Sequence, residues 1–332
     1  MLAFPVELTV LFLQPPANAF VPKELLGSDE KAFPLKVMFC KHCAHLQLSH
    51  VISPEVLFRN YVYVSGTSSV MVQHLKEYAE QAIQLTNLCD GDFVFEFGSN
   101  DGTLLRHFKD AGITNVLGMD PAKNIADVAT ASGLYTIPDF FCAETAKSVR
   151  NQHGQAKLIC ANHCCAHIDD FHGVVAGVKE LLAPDGVWIF EVGYLLNVFT
   201  RSLFDTIYHE HVDFHSVEPI RKFCAANGLK LLNASSNPIQ GGSLRCYVGW
   251  PETSPLIEAG SRNVADLIRE EVTVGLHIEA TFLRWVSLPS FQPKSFFGDI
   301  SIIAIFDINR VPLDSCNRPT RFKALGTKFT HF

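Results

Sequence analysis

The feature that most constrains this chain is the stretch from Phe93 to Gly102, FVFEFGSNDG. Its apolar start predicts a buried strand, its centre is a glycine turn, and helical spacing begins at Thr103. A strand, a glycine turn and a helix in this order place backbone N–H groups and a helix N-terminus at the carboxyl end of a parallel strand. Doubly wound α/β sheets bind nucleotides at that place.

The turn in this stretch differs from the dinucleotide fingerprint. G-x-G-x-x-G would need glycines where the chain has Asn100 and Thr103. The acids Glu96 and Asp101 would repel a pyrophosphate, but they suit a cofactor that has a cationic centre and an ammonium group. S-adenosylmethionine (SAM) carries both. Taken alone, the stretch fits an ordinary βα turn equally well, and an NAD enzyme is the least favoured interpretation.

Strands and helices alternate along most of the chain. Apolar runs predict strands at 93–97, 115–119, 134–137, 157–161 and 187–192. Helical spacing predicts helices at 70–88, 104–111, 125–132, 143–151, 172–182 and 217–226. Strands at 229–233 and 243–249 follow, then one helix at 264–286 and a strand at 300–306. This order predicts an α/β fold whose mostly parallel sheet ends in an antiparallel strand pair.

Composition excludes several classes of protein. Of 332 residues, 48% are hydrophobic and 18% charged, and the formal net charge of −7 gives no basic surplus for nucleic acid. No apolar run reaches the roughly 20 residues of a membrane-spanning helix. Alternation at Val6, Leu8 and Val10 predicts an N-terminal strand rather than a signal peptide. The 10 scattered cysteines fit free thiols in the cytoplasm.

Three polar residues follow predicted strands, where ligands bind in such sheets. Asp120 ends the second strand, and an acid there can accept hydrogen bonds from ribose hydroxyls; its alternative role is to cap the next turn. Asn162 follows the fourth strand and can contact the cofactor. His167 lies a few residues further on and can reach a substrate, although a structural role is equally compatible with its position.

The densest group of functional side chains is Tyr208-His209-Glu210-His211, just past the fifth predicted strand. If the stretch is extended, Tyr208 and Glu210 face one way and the two histidines the other. If it is a turn, the side chains can converge. A histidine is the natural general base near neutral pH, a glutamate can orient it, and a tyrosine hydroxyl can hold an oxyanion. A polar surface loop is the weaker interpretation.

One C-x-x-C pair occurs, formed by Cys40 and Cys43. Such a pair typically supplies half of a tetrahedral zinc site, which needs four ligands. No second pair is present in the sequence, so two thiols in a small β-module are the more direct interpretation.

In these motifs the chain resembles the SAM-dependent C-methyltransferases that act on nucleotide-linked deoxysugars. The matching segments fall in order over about residues 12–250: QPPANAF, PLKVMFCKHCAHLQL, LFRNYVYVSGTSS, FEFGSNDGTLL, LGMDPAKNIA, ANHCCAHIDD, LLAPDGVWIFEV, FDTIYHEHVDFHS and IQGGSLR. The resemblance implies a Rossmann-like SAM methyltransferase sheet with a small N-terminal β-rich module. It also implies methylation of the carbon next to the ketone of a 4-keto sugar nucleotide.

The resemblance also implies roles for individual residues. His211 would be the base that removes the proton, supported by Glu210 and Tyr208. His167 and a tyrosine of YVYVSG would contact the sugar and its oxyanion; Tyr63 is favoured over Tyr61. The expected cofactor-binding residues are those of the turn and of the two following strand ends: Glu96, Gly98, Asn100, Asp101, Asp120 and Asn162.

The chain departs from the family at both ends. Proteins of this family carry a second C-x-x-C pair before QPPANAF, where this chain has MLAFPVELTVLFL. The family's second Rossmann-like fold, with a Gly-Ala-rich turn, has no counterpart in residues 287–332. We therefore expect an incomplete zinc-binding or substrate module at 1–68, the methyltransferase domain at 69–250 and a divergent, truncated region at 251–332. The alternative to an active enzyme is an inactive SAM-binding or structural relative.

Overall fold

A computed structural model describes residues 5–18, 20–27, 30–252 and 257–287. Its strands are β1 (Pro5–Gln14), β2 (Phe33–Cys40), β3 (Leu46–Leu48), β4 (Val94–Phe97), β5 (Val116–Met119), β6 (Thr136–Ile137), β7 (Ala156–Asn162), β8 (Leu182–Gly193), β9 (Asp213–Phe214), β10 (Lys230–Asn237) and β11 (Ser243–Gly249). Its α-helices are α1 (Pro54–Phe58), α2 (Ser69–Thr86), α3 (Thr103–Asp110), α4 (Lys123–Ala131), α5 (Ala143–His153), α6 (Phe171–Leu181), α7 (Leu195–Arg201), α8 (Val217–Ala226), α9 (Ile257–Val274) and α10 (Glu279–Val286).

The larger sheet has the order β10-β11-β8-β7-β4-β5-β6. Neighbours from β8 to β6 are parallel, while β11 runs antiparallel to both β8 and β10. The predicted α/β fold is thus confirmed, including the antiparallel pair at one edge. From β4 the chain moves through β5 to β6 on one side, and then crosses to β7 on the other. Such a change of direction opens a crevice at the carboxyl ends of β4 and β7.

The smaller sheet has the order β1-β2-β3-β9, and its last strand comes from the middle of the chain. β3 pairs antiparallel with β9, so that Leu46 lies opposite Phe214 and Gln47 opposite Asp213. β9 begins two residues after His211. The N-terminal sheet therefore holds the chain two residues beyond the Tyr208–His211 segment.

Side chains of β4 alternate between two hydrophobic clusters, one on each face of the larger sheet. Phe95 and Phe97 pack on one face, where the Phe97 ring stacks on Phe141 with centroids 4.4 Å apart. Val94 packs on the other face with Tyr78 and other side chains of α2 and α3. This alternation is expected of a strand that is buried on both faces. Packing on both faces fixes β4 and therefore the position of the turn that follows it.

One predicted helix is wrong. In place of a single helix at 264–286 the structure has α9 and α10, because Gly275 takes a left-handed conformation with φ 86° and ends α9. The predicted strand at 300–306 lies outside the described residues. None of the described helices is long and apolar enough to cross a membrane.

Candidate active site

A cleft of about 900 Å³ opens at the carboxyl ends of the parallel strands. It brings together most of the residues expected from the sequence: Tyr61, Tyr63, Glu96, Gly98, Asn100, Asp120, Asn162, His167, Tyr208 and His211 line it. We call the part around Glu96, Asp120 and Asn162 the acidic side, and the part around His167, Tyr208 and His211 the histidine side. The two sides share one cavity, so ligands bound at both could meet.

The turn after β4 needs a glycine at position 98. Its φ of 65° lies in the left-handed region. A Cβ atom there would lie 2.6 Å from the Sγ atom of Cys164, which follows β7. The close approach of these two loops forms the floor of the cleft between β4 and β7.

The acidic side contains two buried carboxylates. Asp120 accepts hydrogen bonds from the backbone N–H groups of Asn100 at 2.8 Å and Ala122 at 2.9 Å. Glu96 accepts one from the Asn162 amide at 3.2 Å. Burial raises the pKa of Asp120, and burial together with the nearby charges of Asp120 and Asp101 raises the pKa of Glu96 well above its usual range. A positively charged ligand would offset the free-energy cost of burying these two carboxylates in their ionised form.

The residues of the acidic side fit SAM. No Lys or Arg lines the cleft in the part of the chain that the structure describes. The buried atoms Glu96 Oε2, Asn162 Oδ1 and Ser99 Oγ have no hydrogen-bond partner among the described residues. Free acceptors beside carboxylates suit the ammonium, sulfonium and ribose groups of SAM, whereas a pyrophosphate would find no cation.

The side chains of two predicted cofactor ligands, Asn100 and Asp101, bind another segment of the chain. Asn100 donates to the Tyr63 carbonyl at 3.0 Å and accepts from the Ser65 N–H at 2.9 Å. Asp101 accepts from the Gly66 N–H at 3.0 Å. These contacts fasten residues 61–67, which we call the tyrosine segment, across the cleft. Asn100 still lines the cavity, while Asp101 is not among its lining residues.

On the histidine side, residues 208–211 form a turn, so Tyr208 and His211 meet. The Tyr208 hydroxyl lies 3.0 Å from His211 Nε2, and His211 Nδ1 lies 2.8 Å from the Thr206 carbonyl oxygen. A carbonyl oxygen can only accept, so Nδ1 carries the proton. Nε2 of neutral His211 is therefore the acceptor, and the Tyr208 hydroxyl donates to it.

Burial keeps the rings of the histidine side uncharged. It lowers the pKa of His211 to about 4 and that of His167 well below its usual value. The His167 ring stacks between Phe58, at a centroid distance of 5.5 Å, and His211, at 5.2 Å. Burial and the Glu210 charge raise the pKa of Tyr208 to about 12. Near neutral pH, His211 is thus free to accept a proton and Tyr208 keeps its own.

Glu210 and His209 point away from this pair, towards the N-terminal part of the chain. Glu210 accepts from the Asn18 amide at 2.6 Å and from the Tyr61 hydroxyl at 2.8 Å. His209 donates to the Phe33 carbonyl at 3.3 Å. The turn thus separates the four side chains into one pair that faces the cleft and one pair that anchors the turn.

The two candidate tyrosines of the tyrosine segment are placed differently. The Tyr61 hydroxyl donates a hydrogen bond to Glu210, and burial, followed by the Glu210 charge, raises its pKa. Tyr63 is 39% exposed, and partial burial raises the pKa of its hydroxyl. Both line the cleft.

Several residues that position the site were not expected from the sequence. Asn18 and Thr206 belong to motifs that carried the resemblance, but nothing local indicates their partners. Glu191, at the end of β8, is buried and holds the cleft residue His163, 3.2 Å away, together with Arg245 at 2.8 Å. Burial alone would raise the pKa of Glu191, but hydrogen bonds from His163 and His74 and the Arg245 charge hold it well below its usual range.

The expected half-site for zinc lies away from the cleft. Cys40 ends β2, and Cys43 lies in the turn that follows. No group of three or more His, Cys, Asp or Glu side chains among the described residues is arranged to hold a metal ion. Two thiols do not complete a tetrahedral zinc site.

Two families match the chain in order. One described as "Putative zinc binding domain" matches residues 6–58, and one described as "Methyltransferase domain" matches residues 71–234. The C-methyltransferase NovU of Streptomyces niveus is 37% identical over 257 residues, or 76% of this chain. The chain belongs to the SAM-dependent C-methyltransferase family. This membership confirms the resemblance at the family level, and it confirms SAM as the cofactor. The chain spans 60% of the length of NovU.

Solved methyltransferase structures match more loosely. The complex of the Haloferax volcanii Trm112 methyltransferase activator with a methyltransferase gives a TM-score of 0.44 at 17% identity, over 56% of this chain and 94% of that one. Magnesium protoporphyrin IX methyltransferase of Synechocystis gives 0.43 at 14% identity, over 55% of this chain and 88% of that one. The fold assignment rests on the strand order of the chain itself.

Proposed function

We propose that this protein methylates the carbon next to the ketone of a 4-keto deoxysugar nucleotide, with SAM as methyl donor. The observation that carries the proposal is the Tyr208–His211 pair, whose hydrogen bond measures 3.0 Å and which lies in the same cleft as the acidic side. Family membership supports the reaction class. The sugar substrate comes from the resemblance in the sequence motifs.

The chemistry requires a base and a means to stabilise an enolate. When the base takes the proton from the carbon, the C–H electron pair forms the new carbon–carbon double bond, and the ketone oxygen becomes negative. SAM, when bound on the acidic side, supplies an electrophilic methyl group for that carbon. The tasks left to the chain are to accept the proton, to hold the oxyanion and to exclude water.

His211 is the proposed base. Its pKa of about 4 keeps the ring neutral, and the Thr206 carbonyl fixes the tautomer whose Nε2 carries a lone pair and no proton. Because Tyr208 occupies that lone pair, the proton reaches Nε2 through the Tyr208 hydroxyl or after that hydroxyl has turned away. Both routes end with an imidazolium beside the enolate, where opposite charges offset the cost of burying the ring.

The proposed oxyanion contacts are Tyr63 and His167. Tyr61 already donates its single hydroxyl proton to Glu210, so in this arrangement it can only accept a hydrogen bond from a sugar hydroxyl. The absence of Lys and Arg from the described lining also bears on the nucleotide. Inside the cleft the diphosphate would meet carboxylates, so we expect the sugar to enter while the diphosphate remains outside.

The decisive experiment separates proton removal from methyl transfer. With SAM, a 4-keto deoxysugar nucleotide should yield S-adenosylhomocysteine and a product heavier by one methyl group. In D2O without SAM, proton NMR should show exchange of the hydrogen next to the ketone, and His211→Ala should abolish it. Unchanged exchange in that variant removes His211 from the base role. SAM binding without turnover of any acceptor would instead support an inactive relative.

A further inference from the structure

We propose that Asn124 is a positioning residue, which holds the tyrosine segment across the cleft and so places the Tyr61 hydroxyl against Glu210. This inference rests on the proposed function, because the position of Tyr61 matters for catalysis only if the histidine side receives the methyl acceptor. Asn124 does not line the cavity and would act through Tyr61.

Asn124 binds both backbone groups of Tyr61 with one side-chain amide. Its Oδ1 accepts from the Tyr61 N–H at 3.2 Å, and its Nδ2 donates to the Tyr61 carbonyl at 2.8 Å. One amide thereby satisfies both backbone groups of one residue, as a partner in an antiparallel ladder would. The tyrosine segment belongs to neither sheet, so this side chain takes the place of a neighbouring strand.

A second attachment lies two to five residues further along. Asn100 binds the Tyr63 carbonyl and the Ser65 N–H, and Asp101 binds the Gly66 N–H. These side chains follow β4, and Asn124 lies in the first turn of α4, which follows β5. These backbone contacts therefore all come from residues that follow β4 and β5, next to the acidic side.

Tyr61 links that attachment to the histidine side. Its backbone is held by Asn124, while its hydroxyl reaches Glu210 at 2.8 Å in the turn that carries Tyr208 and His211. The Tyr61 ring also packs edge-on against Phe58, with centroids 5.6 Å apart. Releasing the backbone would let the ring and hydroxyl move relative to the turn, and a displacement of this kind lowers the rate of the reaction.

The test compares Asn124→Ala with Lys123→Ala, a neighbouring exposed residue whose amine pairs with Asp127 on its own helix. Asn124→Ala should lower kcat by about 10- to 100-fold while the Kd for SAM changes less than about threefold. Amide hydrogen exchange in residues 61–67 should accelerate. Lys123→Ala should change none of these. Asn124→Asp keeps the acceptor for the Tyr61 N–H but sets an anionic oxygen against the Tyr61 carbonyl, so it should be no milder than Asn124→Ala.

A double-mutant cycle separates positioning from general damage. If Asn124 acts through Tyr61, Asn124→Ala should lower kcat by less than about twofold in a protein that already carries Tyr61→Phe. The same fold-loss in both backgrounds would overturn the proposal. Amide hydrogen exchange can be measured without a methyl acceptor, so this test remains valid even if the proposed function is wrong. Unchanged exchange at residues 61–67 in Asn124→Ala would show that Asn124 does not hold the tyrosine segment.

Discussion

The hydroxyl of Tyr61 donates to the carboxylate of Glu210 at 2.8 Å, although 149 positions separate the two residues. The other oxygen of Glu210 accepts from Asn18 at 2.6 Å, across 192 positions. Glu210 is 1% exposed, so three distant parts of the chain meet at one buried carboxylate. Both donors are neutral, and their geometry therefore decides how well the carboxylate is held.

Asn18→Asp should be more harmful than Asn18→Ala. The acid places a second carboxylate against Glu210, and two carboxylates this close cannot both ionise at low cost. We expect Asn18→Asp to lower kcat by about tenfold or more and Asn18→Ala to lower it less, with an unchanged Kd for SAM. Steady-state kinetics and calorimetry measure both. Wild-type kcat in Asn18→Asp would mean that this contact does not position the turn.

His211→Ala should lose about 10²-fold or more in methyl transfer, because the proton acceptor is gone. SAM binding should persist, since His211 does not belong to the acidic side. Tyr208→Phe keeps the ring but leaves Nε2 exposed to the cleft, so its kcat distinguishes the two proton routes. A large loss supports passage through the Tyr208 hydroxyl, whereas wild-type turnover supports direct transfer to His211.

The contribution of His211 and His215 to stability should fall as the pH drops below about 6.5. Burial lowers the pKa of both His211 and His215 to about 4. Between these values and the ordinary pKa of histidine, the unfolded chain binds more protons than the folded one, so acid favours unfolding. Each ring should lower the free energy of unfolding by about 2 kcal/mol at about pH 5, relative to its value at neutral pH.

Urea unfolding at the two pH values measures this effect. His215→Asn should reduce the acid-induced loss, whereas His277→Ala, an exposed histidine on the loop after α9, should leave it unchanged. If the acid-induced loss of stability were equal in wild type and His215→Asn, the His215 ring would not be one of its sources.

Asp120→Asn should weaken SAM binding by about tenfold or more, since it removes a negative charge and replaces one of two carboxylate oxygens that each accept from a backbone N–H. Asp127→Asn on the outer face of α4 is the matched control, and its Kd should equal that of wild type. Isothermal calorimetry provides the comparison, with NAD as a second ligand. Tight NAD binding without SAM binding would contradict the cofactor assignment.

Metal analysis of the purified protein should find less than one zinc per chain. Cys40 and Cys43 supply two thiols, and a structural zinc site needs four ligands. Cys40→Ser combined with Cys43→Ser should therefore leave the metal content unchanged. A full equivalent of zinc that disappears in this double variant would show that further ligands complete the site.

Local signals predicted some elements to the residue. α8 and β11 have the predicted bounds, because Asn227-Gly228 stops the helix, Gly242 precedes the alternating strand and Gly249 ends it. The same kind of signal is present at Gly275, but apolar spacing continues past this helix end and favours a single helix. At Asn100 and Asp101 the polar character of the turn was evident from the sequence, but their side-chain partners lie in residues 63–66, which no local pattern connects to the turn.

The sequence by itself determined the α/β order, the glycine turn after β4 and the acids that favour SAM, because these follow from periodicity and residue type within a few positions. Tertiary structure alone decided that Tyr208 meets His211, that Tyr61 reaches Glu210 and that β9 joins the N-terminal sheet. Such contacts depend on strand order and register, which bring distant segments together and which short-range spacing does not encode.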